Sequence, residues 1–175
     1  VLPSVSFALS CLHQKIPTES NGDDVIHLPN VPLLQGTALD IKTRYQALEM
    51  PELVKLKVAR HAVSEEIELL TNLITMNPNI RFRLDANQQW TAKQYASFLS
   101  KINKKHIDYI EEPTLSLMDN LSISEQFDIK IALDESLLSD AQLPIHWCIK
   151  ALIIKPTLVG SPNKLNTLLN HAQQH

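Results

Sequence analysis

The sequence predicts an α/β protein, an incomplete (β/α)8 TIM-like barrel of about six βα units, with residues 1–175 forming one partial barrel domain. Three observations carry that expectation. From about residue 50 onward, short β-like runs alternate with amphipathic helical stretches, the pattern of βαβ units and a parallel sheet. Each run carries a charged residue at or next to its C-terminal end. The only glycines are Gly22, Gly36 and Gly160, so the Gly-rich phosphate loop of doubly wound nucleotide-binding folds is absent and a barrel is favoured.

In chain order, Ser4–Gln14 reads as a lead-in helix and Ile16–Asp24 as a polar loop. Pro32–Gln35 ends a first strand, with Thr37–Leu48 as its helix. Five further strands follow at Leu53–Val58, Ile80–Ala86, Ile107–Glu111, Ile129–Asp134 and Ala151–Lys155. Helical patterns near Ser64–Met76, Thr91–Ile102, Ser116–Glu125 and Ser139–Leu143 separate them, and Asn163–Gln174 begins another. The chain starts with Val and stops inside that last pattern, as a piece of a longer protein would.

Composition narrows the function. At 175 residues and 44% apolar, the chain can bury one substantial core. Its net charge of −3 is mild and well mixed, which gives no electrostatic footing for nucleic acid or an anionic membrane. The one basic run, Lys101 to His106, reads as the solvated end of a helix. Cys11 and Cys148 are too few and too far apart for a disulfide framework, and their apolar neighbours suggest reduced, buried thiols. No run of about 18 apolar residues exists, and Val1–Leu12 lacks the basic start of a signal peptide. The expected location is cytoplasmic.

The strand ends hold the chemistry. They carry Lys55 and Lys57, then Asp85, Glu111, Asp134 and Lys155, and in a parallel barrel those ends form the active-site face. Side-chain alternation turns Val54, Leu56 and Val58 toward the helices and both lysines inward. It likewise turns Arg83 and Asp85 inward, selects Glu111 over Glu112, and Asp134 over Glu135. Three inward carboxylates make an oxygen-rich site of the kind Mg²⁺ prefers. Lys57 and Lys155, four strands apart, would flank a small-molecule substrate, and beside Lys55 and a divalent cation an amine gives up its proton more readily. A single charged strand end is more often a surface residue. Five in order, 57, 85, 111, 134 and 155, repeat at βα spacing, and an unpaired inward charge is costly unless it is used.

These residues resemble the enolase superfamily, in its muconate-lactonizing subgroup. That group carries Lys-x-Lys on strand two, then Asp, Glu and Asp on strands three to five, and Lys on strand six. The strings KLKVAR, RLDANQQW, IEEP, IALDESL and IIKPTLVGS look like those of a subgroup member that dehydrates a cyclic carboxylate, and the opening PSVSFALSCL resembles it too. The resemblance implies Mg²⁺, with Mn²⁺ as a substitute, on Asp85, Glu111 and Asp134. It implies Lys57 as base, Lys155 as a protonated stabiliser on the other face, Lys55 tuning Lys57, and Arg83 and Asn87 as substrate or supporting contacts. A racemase or epimerase of the subgroup, using both lysines as bases, and a non-catalytic truncated barrel are the alternatives. The group's capping domain and last two strands are not in this sequence. The expectation is therefore a chain inactive by itself, prone to self-association through open barrel edges.

Overall fold

The computed structural model describes residues 2–13, 30–139 and 143–173. The loop expected at Ile16–Asp24 lies outside them, as does most of the helix expected over Ser139–Leu143. After helix α1 (Pro3–His13) come β1 (Leu33–Leu34), α2 (Ala38–Ala47), β2 (Leu53–Lys57), α3 (Val63–Met76), β3 (Arg81–Asp85) and α4 (Ala92–Leu99). Then follow β4 (Ile107–Glu111), α5 (Leu117–Phe127), β5 (Ile131–Leu133), β6 (Ile149–Leu152), α6 (Pro156–Val159) and α7 (Pro162–Ala172). The strands form one sheet in the order β1-β2-β3-β4-β5-β6, every neighbour parallel. This is an incomplete (β/α)8 barrel, in which β1 and β6 are the edges among the described residues.

Local chemistry sets the helix starts. Thr37 and Asp40 form a capping box at α2, and Thr91 and Gln94 form another at α4, each satisfying two amide groups that helix geometry leaves without partners. Ser116 caps α5 and Ser161 caps α7, where Pro162 supplies a preset φ. Asp128 ends α5 in the left-handed conformation.

The core lies between the sheet's outer face and the helices. Val54, Leu56, Phe82, Leu84 and Ile110 are fully or almost fully buried there against Leu69, Leu73, Tyr95 and Phe98, each worth about 1.5–3 kcal/mol of burial. On β2 the burial alternates as the sequence predicts, with Lys55 and Lys57 on the other face. Trp90 covers one end of this cluster, its ring 4.6 Å from Phe98. At the far end of the sheet α1 packs on α6, so closely that a Cβ at Gly160 would lie 3.2 Å from Pro3 Cα.

Four expectations change. Strand β6 runs Ile149–Leu152 rather than Ala151–Lys155: the β5–β6 register slips between Ile131 and Ala132, and Pro156, which has no amide hydrogen, starts α6 directly after Lys155. After β5 the chain turns at once into a 3₁₀ segment, Glu135–Leu138, with extended Ser139 closing it. The basic run is not a solvated helix end throughout, because α4 stops at Leu99 and His106 is buried, its Nδ1 2.8 Å from Ile80 O. Cys148 is buried as expected, with burial pushing its thiol up to about 11, but Cys11 is only half-buried. No helix among the described residues is long and apolar enough to cross a membrane.

Candidate active site

The C-terminal ends of β2, β3 and β4 bring Lys57, Asp85 and Glu111 into register across neighbouring strands. Asp134 follows β5 directly, and Lys155 stands at the start of α6, beyond the end of β6. The carboxylates of Asp85, Glu111 and Asp134 are 2%, 1% and 4% exposed, so each needs a counter-charge.

Three lysines supply it. Lys55 Nζ lies 2.7 and 3.0 Å from the two oxygens of Glu111 and 2.9 Å from Asp85 Oδ2. Lys57 Nζ pairs with the same Asp85 oxygen at 2.8 Å and donates to Asn87 Oδ1. Lys155 Nζ pairs with Asp134 Oδ2. Burial alone would favour neutral lysines, but the hydrogen bonds from Lys55 to Glu111 and Asp85 outweigh it and hold its pKa above the ordinary value. Asp134 does the same for Lys155. Burial also opposes ionisation of Asp85, yet Lys57 and Lys55 bring its pKa below the usual range. Glu111 goes the other way. Burial pushes it up, Lys55 opposes, and the charges of Asp85 and Asp134 add to the rise, to about 7.

Asn87 is the connecting piece. Its Nδ2 donates to Glu135 Oε1 at 3.2 Å, and its φ of 44° lies in the left-handed region that Asn tolerates. Ala59, Gln88 and Glu112 also have positive φ at these strand ends, a conformation that costs free energy and gathers at functional sites.

Arg83 is directed elsewhere. Its Nε donates to Asp108 Oδ2 at 2.9 Å, and its guanidinium lies 5.1 Å from the Tyr109 ring centroid. Asp108 also receives Arg81 at 2.8 Å and Lys150 at 2.5 Å. Burial resists its charge, but Lys150 and Arg83 win and keep its pKa low. This hub sits on the strand residues before those of the carboxylate ring, toward the barrel's N-terminal end, where such networks serve stability.

Sequence reasoning did not find Asp108, nor the work of Glu112. Fully buried, Glu112 accepts from the amides of Asp134 and Ser136 at 2.9 and 2.8 Å, from Ser136 Oγ at 3.0 Å and from Gln88 Nε2 at 3.1 Å. It ties the end of β4 to the turn that presents Asp134. The signal available was the doubled acid of Glu111-Glu112-Pro113, in which alternation assigns a site role to only one.

The donor set fits a hard divalent cation. Three buried carboxylates on successive strands, without thiolate or imidazole among them, are what Mg²⁺ and Mn²⁺ favour. As the side chains stand, lysine ammonium groups take the carboxylate charges, and no three His, Cys, Asp or Glu among the described residues are grouped to hold an ion.

The model of the enolase C-terminal domain-like family matches residues 42–144, more than half of the sequence. The chain belongs to that family. Within it, the o-succinylbenzoate synthase of Yersinia pseudotuberculosis is 30% identical over 182 residues, covering 99% of this chain and 54% of the relative. The enzyme of the same name from Aliivibrio fischeri is 29% identical over 180 residues, again covering 54% of the relative. The chain thus spans about half the length of the curated relatives it matches. Among solved structures, o-succinylbenzoate synthase from Thermosynechococcus elongatus, complexed with Mg in its active site, superposes with a TM-score of 0.67 at 21% identity over 97% of this chain and 56% of that one. Muconate lactonizing enzyme from Pseudomonas putida does so at 0.64 and 18%, over 82% and 43%. At these identities the superpositions establish the fold of the family, an enolase-type barrel.

Proposed function

We propose that the protein of which this chain is the central barrel portion is a lyase of menaquinone biosynthesis. It would dehydrate 2-succinyl-6-hydroxy-2,4-cyclohexadiene-1-carboxylate to o-succinylbenzoate. The observation that carries this reading is the ring Lys55, Lys57, Asp85, Glu111, Asp134 and Lys155, set in a sequence aligned with o-succinylbenzoate synthases along nearly its whole length.

Asp85, Glu111 and Asp134 would hold Mg²⁺, or Mn²⁺ in its place, against the ring carboxylate. The ion, when bound, supplies charge that stabilises the negative charge developing as the α-proton leaves. Lys57, as the free amine, removes that proton. The C–H electron pair becomes the new ring double bond, the hydroxyl departs from the neighbouring carbon, and the proton on Lys57 goes with it as water. Lys155 stays protonated on the opposite face and stabilises the same developing charge. Lys55 sets the charge around Lys57 through the shared Asp85. Asn87 positions Lys57 by accepting its hydrogen bond, while Arg83 holds Asp108 on the strand residues beneath the ring.

The test is turnover of the cyclohexadiene substrate, followed by loss of its ultraviolet absorbance at millimolar Mg²⁺ (on the order of the affinity expected of a few carboxylates). We expect turnover in the longer gene product that disappears with chelator, and a fall of at least about 10²-fold in Lys57→Ala, the lower end for loss of a general base. Unchanged turnover in Lys57→Ala would remove the assigned mechanism. Turnover by this chain alone would show the capping domain to be dispensable.

A further inference from the structure

We propose that Arg60 is a specificity-determining residue that binds the second carboxylate of a dicarboxylate substrate, the acid at the end of its side arm. The proposal rests on the reaction above, whose substrate carries one carboxylate on the ring and another on the succinyl arm.

Charge balance makes the case. Around the mouth of the barrel, Lys55, Lys57 and Lys155 each hold a carboxylate, and below them Arg81, Arg83 and Lys150 share Asp108. Arg60 has no carboxylate partner among the described residues. Its Nη2 makes only a long contact, 3.5 Å, to Asn87 Oδ1. That oxygen also accepts from Lys57 Nζ, so one shared acceptor separates the free guanidinium from the amine assigned to remove the proton. A side arm of a few carbons spans such a gap.

The backbone holds Arg60 in place. Ala59, with φ 61°, turns the chain sharply after β2. The buried carboxylate of Glu66 then accepts the amides of Arg60 at 2.8 Å and His61 at 3.3 Å through Oε1. A non-glycine left-handed residue followed by two amides captured from below is a fixed turn, not a free loop. Beside it opens a cavity of about 660 Å³ over the end of β2, with Lys57, Arg60 and His61 in its lining and Ile41, Leu56 and Leu69 of the helix-facing core at its floor. Two acids share its wall: Glu65 faces His61 at 4.0 Å, and Glu66 braces the turn through Oε1 while its Oε2 is buried without a hydrogen-bond partner. A guanidinium that shares the Asn87 acceptor with Lys57 suits a short arm ending in a carboxylate, which Arg grips in a fork of two hydrogen bonds.

The experiment is calorimetric titration of the longer gene product in Mg²⁺ with o-succinylbenzoate and with its terminal monoamide, which keeps the shape and loses the distal charge. The unaltered protein should prefer the diacid by about tenfold or more, the worth of a charge-assisted hydrogen bond. Arg60→Met should abolish that preference while leaving the affinity for the monoamide unchanged, and Arg60→Lys should restore part of it. A diacid preference that survives in Arg60→Met overturns the proposal and leaves the reaction standing. Equal weakening of both ligands overturns it too, since that is what a merely structural role would do. Binding of neither ligand by the unaltered longer gene product overturns the proposal together with the function on which it rests.

Discussion

Glu111 carries the largest electrostatic burden of any single residue in the site. It is ionised at neutral pH only at a cost, because burial and its two acidic neighbours raise its pKa to about 7. The sign follows directly. A carboxyl group whose folded pKa lies above its ordinary 4.5 favours the folded state in its protonated form, so stability is lost as pH rises through that interval. In chelator, the melting temperature should therefore fall between about pH 5 and 7. Glu111→Gln, which mimics the protonated acid, should flatten that fall, by up to about 3 kcal/mol at the upper end. Parallel melting curves for the two proteins would rule out the strain assigned to Glu111. Asp85 and Asp108 do not confuse the measurement: their folded pKa values are lowered, so what they contribute disappears only at more acid pH. The inward direction of Glu111 was legible from alternation along Tyr109-Ile110-Glu111. Its protonation behaviour was not, since that depends on where Lys55, Asp85 and Asp134 come to rest.

At the scale of elements, helices begin where a side chain can replace the missing backbone partner. The Thr91–Gln94 box starts α4, whose Tyr95 and Phe98 are fully buried. Thr91→Ala should cost about 1 kcal/mol without changing the site, measured by urea unfolding; no loss would mean the box contributes nothing net. Strand β4 could be read to its exact limits, Ile107–Glu111, with Pro113 closing it. Where the ladder slips, the reading failed. Alternation places Asp108 on the face opposite Tyr109, but the register shift between Phe82 and Arg83 brings Asp108 against Arg81 and Arg83. The irregularity between Ile131 and Ala132 likewise accompanies Lys150 reaching the same acid. A period-two count assumes an unbroken ladder. One extra residue reverses it, and nothing in the composition of these strands announces the extra residue.

At the scale of the molecule, the six-stranded sheet has two open edges among the described residues, β1 and β6. Helix α1 adds the exposed apolar residues Val5, Leu9 and Leu12, spaced so that they share one face. Unpaired strand edges and apolar stripes invite association. Sedimentation of this chain should show mass rising with concentration in the micromolar range, and a strictly monomeric profile would refute that expectation. The contact of α1 with α6 has a further consequence, one of timing. These helices are joined in space but separated by roughly 150 residues of chain. At a synthesis rate of about 5–20 residues per second, α1 waits on the order of ten seconds before its docking surface is made. The first helix of this chain then docks only after nearly all of the sheet has been made, and until then it is a natural client for whatever meets the chain at the ribosome.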